Sequence, residues 1–364
     1  MKILHIGQMI GGLDVYIRNT ICNADNTYKY VIVHGKNDNS KLVIKNGEAI
    51  KEYLIDFERE INIFRDFFLF VRVFKIALNE KPDVIHCHSA KGGIIGRLIG
   101  YLLGIRTYYT PHAFSFLSTD NKFKSGLYQF VERLSKFKSY LLACSESEME
   151  LGINRVGYSK RKALCWHNSV PDIKVNRFAA VDENYICCIG RPSYQKNSIF
   201  LVDVVNAVHK VNPEIKFYLL GVGFYSPDLA ILKNKIKEHD LANVITLVPW
   251  LDHNSTMQYL KNSKLYLTVS RYEGLPLSVI EAMALGKSII ASNVVGNIDC
   301  VSDNINGKIL PLKVEPFANA ILDLWQNNNK RTLLESNSRK LFEENFMIDK
   351  RINLLENIYN NVDI

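Results

Sequence analysis

The chain has no C-x-x-C pair, and its seven cysteines (Cys22, Cys87, Cys144, Cys165, Cys187, Cys188 and Cys300) are odd in number. That excludes a simple disulfide framework or thiolate zinc site and leaves reduced, mostly buried thiols. No tract of five basic residues occurs, although the net charge is +8. A dispersed excess of this kind can draw anionic small molecules or anionic lipid, and it builds no nucleic-acid surface. Long apolar runs are also missing: "GGIIGRLIGYLLGI" (92–105) is too short to span a bilayer and contains Arg97. The opening "MKILHIGQMIGG" lacks the apolar core and cleavage site of a signal peptide, so a cytoplasmic location is expected. There is no G-x-G-x-x-G fingerprint, no internal repeat and no low-complexity tract, so a nicotinamide cofactor has no support.

What is present is an ordinary globular composition, 47% apolar and 23% charged, over 364 residues. A chain of this length exceeds one hydrophobic core and predicts two domains. Short β-rich runs alternate with helical patterns. The first series is "KILHIG" (2–7), "YVIVHG" (30–35), "DVIHCHS" (83–89), "RTYYTPH" (106–112) and "YLLACS" (140–145). A second series runs through "YICCIGR" (185–191), "KFYLLGVG" (216–223), "VITLVPW" (244–250), "KLYLTVS" (264–270) and "KSIIASN" (287–293). Runs that are apolar on both faces suit strands of a parallel sheet covered by helices, which predicts an α/β protein of two Rossmann-like, doubly wound domains. Polar residues 170–184 read as the linker. The expected domains are 1–170 and 171–347, with a final helix at about 348–364 packing back on the first.

Ligands of open α/β sheets bind beyond the carboxyl ends of the strands. Gly11 and Gly12 follow the first strand, where glycine permits close backbone approach to a ligand or simply a tight turn. "GRPSYQKN" (190–197) puts Arg191 and Lys196 where a strand gives way to a helix; they suit a diphosphate, or are two solvated cations. Gly221 and Gly223 permit another close approach. In "SRYEGLPLSVIEAMALGKSII" (270–290), a helix over 277–285 would aim its N-terminus, formed by Leu275, Pro276 and Leu277, at an anion. Glu273 in the preceding loop and Glu281 on the helix could hold a sugar and a ribose. A carboxylate within a helix otherwise needs a neighbouring Arg or Lys. On a strand, His86 and His88 face one side and Cys87 the other, with no second ligand cluster, so no metal site is expected.

These motifs, in this order, resemble the retaining GT4-type glycosyltransferases with the two-domain GT-B fold. The resemblance rests on the E-x7-E segment at 273–281, on "GG" at 11–12, "PDVIHCHSAKGGIIGRL" (82–98), "YTPHAFSF" (109–116), "GRPSYQKN", "GVG" and "NGKIL" (306–310). It implies that Glu281 holds the nucleotide ribose and Glu273 the donor sugar. Arg191 and Lys196 would stabilise the departing diphosphate, helped by backbone amides near Gly12 and Leu275 to Leu277, with Gly274 in the same nucleotide-sugar site. His112 would sit by the donor sugar, and Val248 to Trp250 near the base. The resemblance also implies transfer with retention, no metal or other cofactor, and front-face attack in which a leaving-group phosphate oxygen deprotonates the acceptor. Near "VVGNIDCVSD", Asn297 and Asp299 stand where many relatives carry a glycine and a glutamate, and "GVGFYSPD" lacks the frequent proline after its second glycine.

The expected partners are a nucleotide-sugar donor, UDP-linked by family precedent, and a glycan acceptor linked to polyprenyl diphosphate in surface polysaccharide synthesis. An anionic membrane surface is a further candidate partner through the Phe-rich segment 61–82, although its apolar periodicity favours a core helix packed on the sheet. A nucleotide-sugar epimerase and a catalytically silent binding subunit are the competing functions.

Overall fold

The computed structural model describes the chain except residues 37, 39–40, 58–61, 176–183, 224–225 and 361–364, so most of the linker, the Phe-Tyr pair of "GVGFYSPD" and the last residues lie outside the described part. Two compact units emerge: Met1–Pro171 with Ile348–Ile364, and Asp172–Met347.

The first unit contains β1 (Lys2–Ile6), α1 (Gly12–Asn23), β2 (Lys29–Gly35), a small hairpin of β3 (Ile44–Lys45) and β4 (Glu48–Ala49), β5 (Lys51–Ile55) and α2 (Ile63–Glu80). It continues with β6 (Val84–His88), α3 (Ser89–Leu103), β7 (Arg106–Thr110), α4 (Lys122–Leu134), β8 (Tyr140–Ala143), α5 (Glu146–Leu151) and β9 (Ala163–Cys165). Apart from the β3–β4 hairpin, its strands form one parallel sheet in the order β5-β2-β1-β6-β7-β8-β9.

The second unit contains β10 (Tyr185–Ile189), α6 (Ser198–His209), β11 (Lys216–Val222), α7 (Leu229–Glu238), β12 (Ile245–Pro249), α8 (His253–Asn262) and β13 (Leu265–Thr268). There follow α9 (Leu277–Ala284), β14 (Ile289–Ser292), α10 (Asn297–Cys300), β15 (Gly307–Leu310), α11 (Val314–Gln326) and α12 (Asn328–Asn345). The sheet is parallel, in the order β12-β11-β10-β13-β14-β15. Strand order reverses at β1/β6 in one sheet and at β10/β13 in the other, and those are the crevices where such sheets take ligands.

The helical C-terminal stretch is two helices, α12 and α13 (Ile348–Asn360), and the second belongs to the first unit. Tyr359 on α13 reaches His86 Nδ1 with its hydroxyl at 2.7 Å, and Tyr108 Oη donates to the Ile358 carbonyl at 2.6 Å.

Helix α3 shows why a glycine-rich run forms a helix here. A Cβ on Gly93 would overlap the Tyr109 ring, and one on Gly100 would overlap the Thr107 hydroxyl, so the missing side chains let α3 lie directly on β6 and β7. Arg97, which marked this run as unfit for a membrane, is buried against Glu132 (3.0 Å) and stacks over the Tyr109 ring at 3.9 Å.

Helix α2 buries Leu69, Val73 and Ala77 in the core, as an amphipathic helix should, while Phe64, Phe67 and Phe68 on its other side are exposed. Helix α4 exposes a stripe of Phe123, Leu127, Phe130 and Leu134. The stripe continues to Phe137, whose ring stacks on Tyr101 at 5.5 Å. Among the described residues no helix is long and apolar enough to cross a membrane.

Candidate functional site

In the second unit the loops after β10 and β13 are laced together around one carboxylate. Glu273 is buried and accepts from Lys196 Nζ at 2.7 Å and from Gln195 Nε2 at 3.2 Å. Its backbone N–H donates to the Val295 carbonyl at 3.2 Å, and Arg271 N donates to Gln195 O at 2.8 Å. Gly190 is what lets Lys196 fold back: a Cβ there would stand 3.0 Å from the lysine stem. Arg191 follows directly, with Gly221 against its backbone nitrogen; a Cβ on Gly221 would lie 3.8 Å away. Gly221 and Gly223 both hold positive φ (90° and 122°), where side chains are strained. The sequence pointed to Arg191, Lys196 and Glu273. It did not single out Gln195 or Gly190, though both lie in the quoted motif.

The helix that "PLSVIEAMA" predicted is α9, with Pro276 at its N-cap and no side-chain cap. Proline there fixes φ and has no amide to satisfy, and the next N–H groups are left for an anion. The side chains of Leu275 and Leu277 are buried, so only their backbone can meet a ligand. Gly274 is pressed by Gly296, where a Cβ would come within 2.6 Å of the Gly274 carbonyl oxygen. That contact sits in the region where Asn297 and Asp299 depart from the family pattern. Asn297 is buried and donates to the Ser292 carbonyl, while Asp299 accepts from Gly296 N at 3.2 Å.

Glu281 is buried on α9 and pairs with His253, whose Nε2 lies at 2.8 Å; where a purely structural carboxylate would call for a neighbouring Arg or Lys, an imidazole from the start of α8 stands instead. That bond raises the His253 pKa above its ordinary value, against the opposing effect of burial. Trp250, at the end of β12, is 54% exposed. The Val248 side chain is buried near the end of edge strand β12, so it is the main chain there that could face a ligand.

In the first unit, Gly11 caps α1 at φ 61° and ψ −128°, and Gly12 is the first helical residue. The space on the Cβ side of Gly11 is open. Asp38, buried and not foreseen, fixes this turn by accepting from Met9 N (2.6 Å) and Gly35 N (2.9 Å).

His112 follows β7 in the left-handed region, as does Ala113 (φ 52° and 83°). Two such residues in succession are costly unless held, and buried Glu148 holds them by accepting from Ala113 N at 2.6 Å and Cys144 N at 2.9 Å. His112 Nε2 lies 3.1 Å from His88 Nδ1, and His88 Nε2 lies 2.9 Å from His5 Nδ1. Burial pushes His112 and His5 down to about 3, and His86 and His88 well below their ordinary value, so these rings are neutral.

His5, His86 and His88 come close enough together to suggest a metal. The Thr110 hydroxyl, however, donates to the Leu142 carbonyl (2.7 Å) and so accepts from His86 Nε2–H (2.8 Å). His86 Nδ1 then accepts from Tyr359 Oη, and both of its nitrogens are committed. Cys87 points the other way, toward the Gly93 and Tyr108 carbonyls, as strand alternation predicted.

Comparison with known proteins adds an independent line. Residues 10–172 match the model for Glycosyltransferase Family 4, and residues 170–341 the model for Glycosyl transferases group 1. A UDP-Gal:α-D-GlcNAc-diphosphoundecaprenol α-1,3-galactosyltransferase of Escherichia coli is 25% identical over 344 residues, 87% of this chain and 88% of its own length. An uncharacterized 41.2 kDa protein in the cps region of Klebsiella pneumoniae is 28% identical over 307 residues, 79% of this chain and 82% of that one. Among solved structures, Anabaena HepE in complex with UDP and glucose superposes with a TM-score of 0.80 at 16% identity, covering 100% of both chains.

Proposed function

Because this chain belongs to the GT4-type glycosyltransferases of GT-B architecture, we propose that it moves a hexose or N-acetylhexosamine from a UDP-linked donor to a growing, lipid-linked glycan, with retention and without a metal. The observation that carries this reading is the arrangement at the β10/β13 switch point. There the Lys196–Glu273 pair stands beside Arg191 and the open end of α9, while Glu281 lies one turn into that helix. Cationic side chains and helix-end amides suit a diphosphate, and a buried carboxylate two-thirds of the way along suits vicinal ribose hydroxyls. In transfer, Lys196 and Arg191 would meet the charge that grows on the leaving diphosphate, and a phosphate oxygen would take the acceptor's proton. Glu273 orients Lys196 and can accept from a sugar hydroxyl. Gly12 offers a backbone amide, and His112 a hydrogen bond to the transferring sugar.

The UDP and lipid-linked assignments draw on the activity of the Escherichia coli relative, a UDP-Gal:α-D-GlcNAc-diphosphoundecaprenol α-1,3-galactosyltransferase, and on the UDP bound in the Anabaena structure. A membrane-borne acceptor also accords with α4, whose exposed apolar stripe carries Lys122, Lys124 and Arg133 and no exposed acid. Calorimetry against UDP, GDP and ADP, then the matching sugars, tests the reading. Micromolar binding selective for uridine nucleotides and lost in Glu281→Ala is expected. No binding by any nucleotide would overturn it and favour a silent binding subunit.

A further inference from the structure

We propose that His5 and His88 are positioning residues that hold His112 in the tautomer with its proton on Nδ1, so that the loop after β7 offers the transferring sugar a hydrogen-bond donor and never a base. The link to the sugar rests on the role given to His112 above; the tautomer does not.

The three rings form one hydrogen-bonded line, from His5 Nδ1 to His88 Nε2 at 2.9 Å and from His88 Nδ1 to His112 Nε2 at 3.1 Å. His5 and His88 are fully buried, and His112 is the partly exposed end. Each neutral imidazole carries one proton, donating from one nitrogen and accepting at the other. Two arrangements therefore satisfy both links. In one, all three protons sit on Nδ1, His5 donates to His88, His88 donates to His112, and His112 presents Nδ1–H outward. In the other, every proton sits on Nε2, the links reverse, and His112 presents a bare lone pair.

The buried end decides between them. His5 Nε2 has no hydrogen-bond partner among the described residues. The first arrangement leaves an unpaired lone pair there, whereas the second buries an unpaired N–H, the rarer and costlier orphan. Its neighbours do not reverse this choice. Tyr30 and Tyr16 pack their rings on the line, and among the described residues no carboxylate or ammonium bonds to any of the three imidazoles. His86, with its ring centroid 4.2 Å from that of His88, is pinned separately by Thr110 and Tyr359. From the backbone side, Glu148 fixes the left-handed turn that aims His112.

The test is a long-range 1H–15N correlation spectrum of the full chain labelled at its histidine imidazoles, with steady-state kinetics on the same samples. The native spectrum is expected to show His112 protonated at Nδ1; protonation at Nε2 overturns the proposal. His5→Leu removes the donor at the root of the line. It should shift His112 toward the Nε2–H form and lower kcat about tenfold, the worth of one hydrogen bond, with KM for the nucleotide-sugar within about twofold. In His5→Asn an amide N–H stands near the place of Nδ1–H, and both properties should return. An unchanged tautomer and kcat in His5→Leu would refute the coupling, and if that variant fails to fold, the native spectrum still decides. Should the tautomers behave as stated while no nucleotide-sugar is turned over, the relay stands and the transferase reading falls.

Discussion

The Lys196–Glu273 pair allows a structural role and a chemical one to be measured separately. Glu273 is 5% exposed, and the Lys196 side chain about a quarter exposed at 24%. Lys196→Met keeps the bulk of the stem beside Gly190 but leaves a buried carboxylate with Gln195 still donating to it. Removing one partner of a fully buried pair costs about 3–5 kcal/mol; the partial exposure of the lysine brings the expected loss to about 2–3 kcal/mol. Glu273→Gln on top of it removes the stranded charge. The double variant should then recover part of the loss, with a coupling energy of about 1–2 kcal/mol. Urea midpoints followed by circular dichroism read this cycle. Turnover should behave differently: Lys196→Met is expected to lose about 100-fold in kcat, and the double variant should not recover, because a neutral pair cannot stabilise a leaving diphosphate. Stability effects that simply add would remove the ion pair from the account. Unchanged kcat in Lys196→Met would remove the leaving-group role.

His253→Ala tests the Glu281 pair through pH. Because the folded pKa of His253 is raised above 6.5, the stabilisation is complete below 6.5 and fades as pH rises through the folded value. The side chain is 54% exposed, so the effect should stay below about 1 kcal/mol, and thermal scans from pH 6 upward should lose that part of their slope in the variant. Gly93→Ala should lower stability by about 1–3 kcal/mol, since its methyl would collide with the Tyr109 ring; an unaltered melting temperature would show that α3 can lift off the sheet freely. Exchanging Phe123 and Phe130 for Ser should abolish sedimentation with anionic vesicles at low salt while leaving nucleotide binding intact, and vesicle binding equal to that of the unaltered protein would exclude α4 as the contact.

Much of this protein was legible as sequence because buried parallel strands are apolar on both faces. β1, β2, β6, β7, β8 and all of β10 to β14 announce themselves in that way. β5 at the sheet edge and three-residue β9 do not, since an edge strand with exposed residues or a very short one has no such pattern. Glycines and charges at strand ends likewise marked Gly11, Gly221, Arg191, Lys196, Glu273 and Glu281, because loop-to-helix junctions that handle anions draw on few residue types. What pairs with those groups could not be read. His253 lies 28 positions from Glu281, and His5 lies 83 from His88. Glu148 reaches under the His112 turn from α5, the helix after β8. Sequence periodicity reports which face of an element is buried, and thereby determined the two sheets and their ligand-facing ends. Only the packing of one strand beside another decided which buried polar group finds which partner, since a hydrogen bond depends on distance in space and carries no trace along the chain.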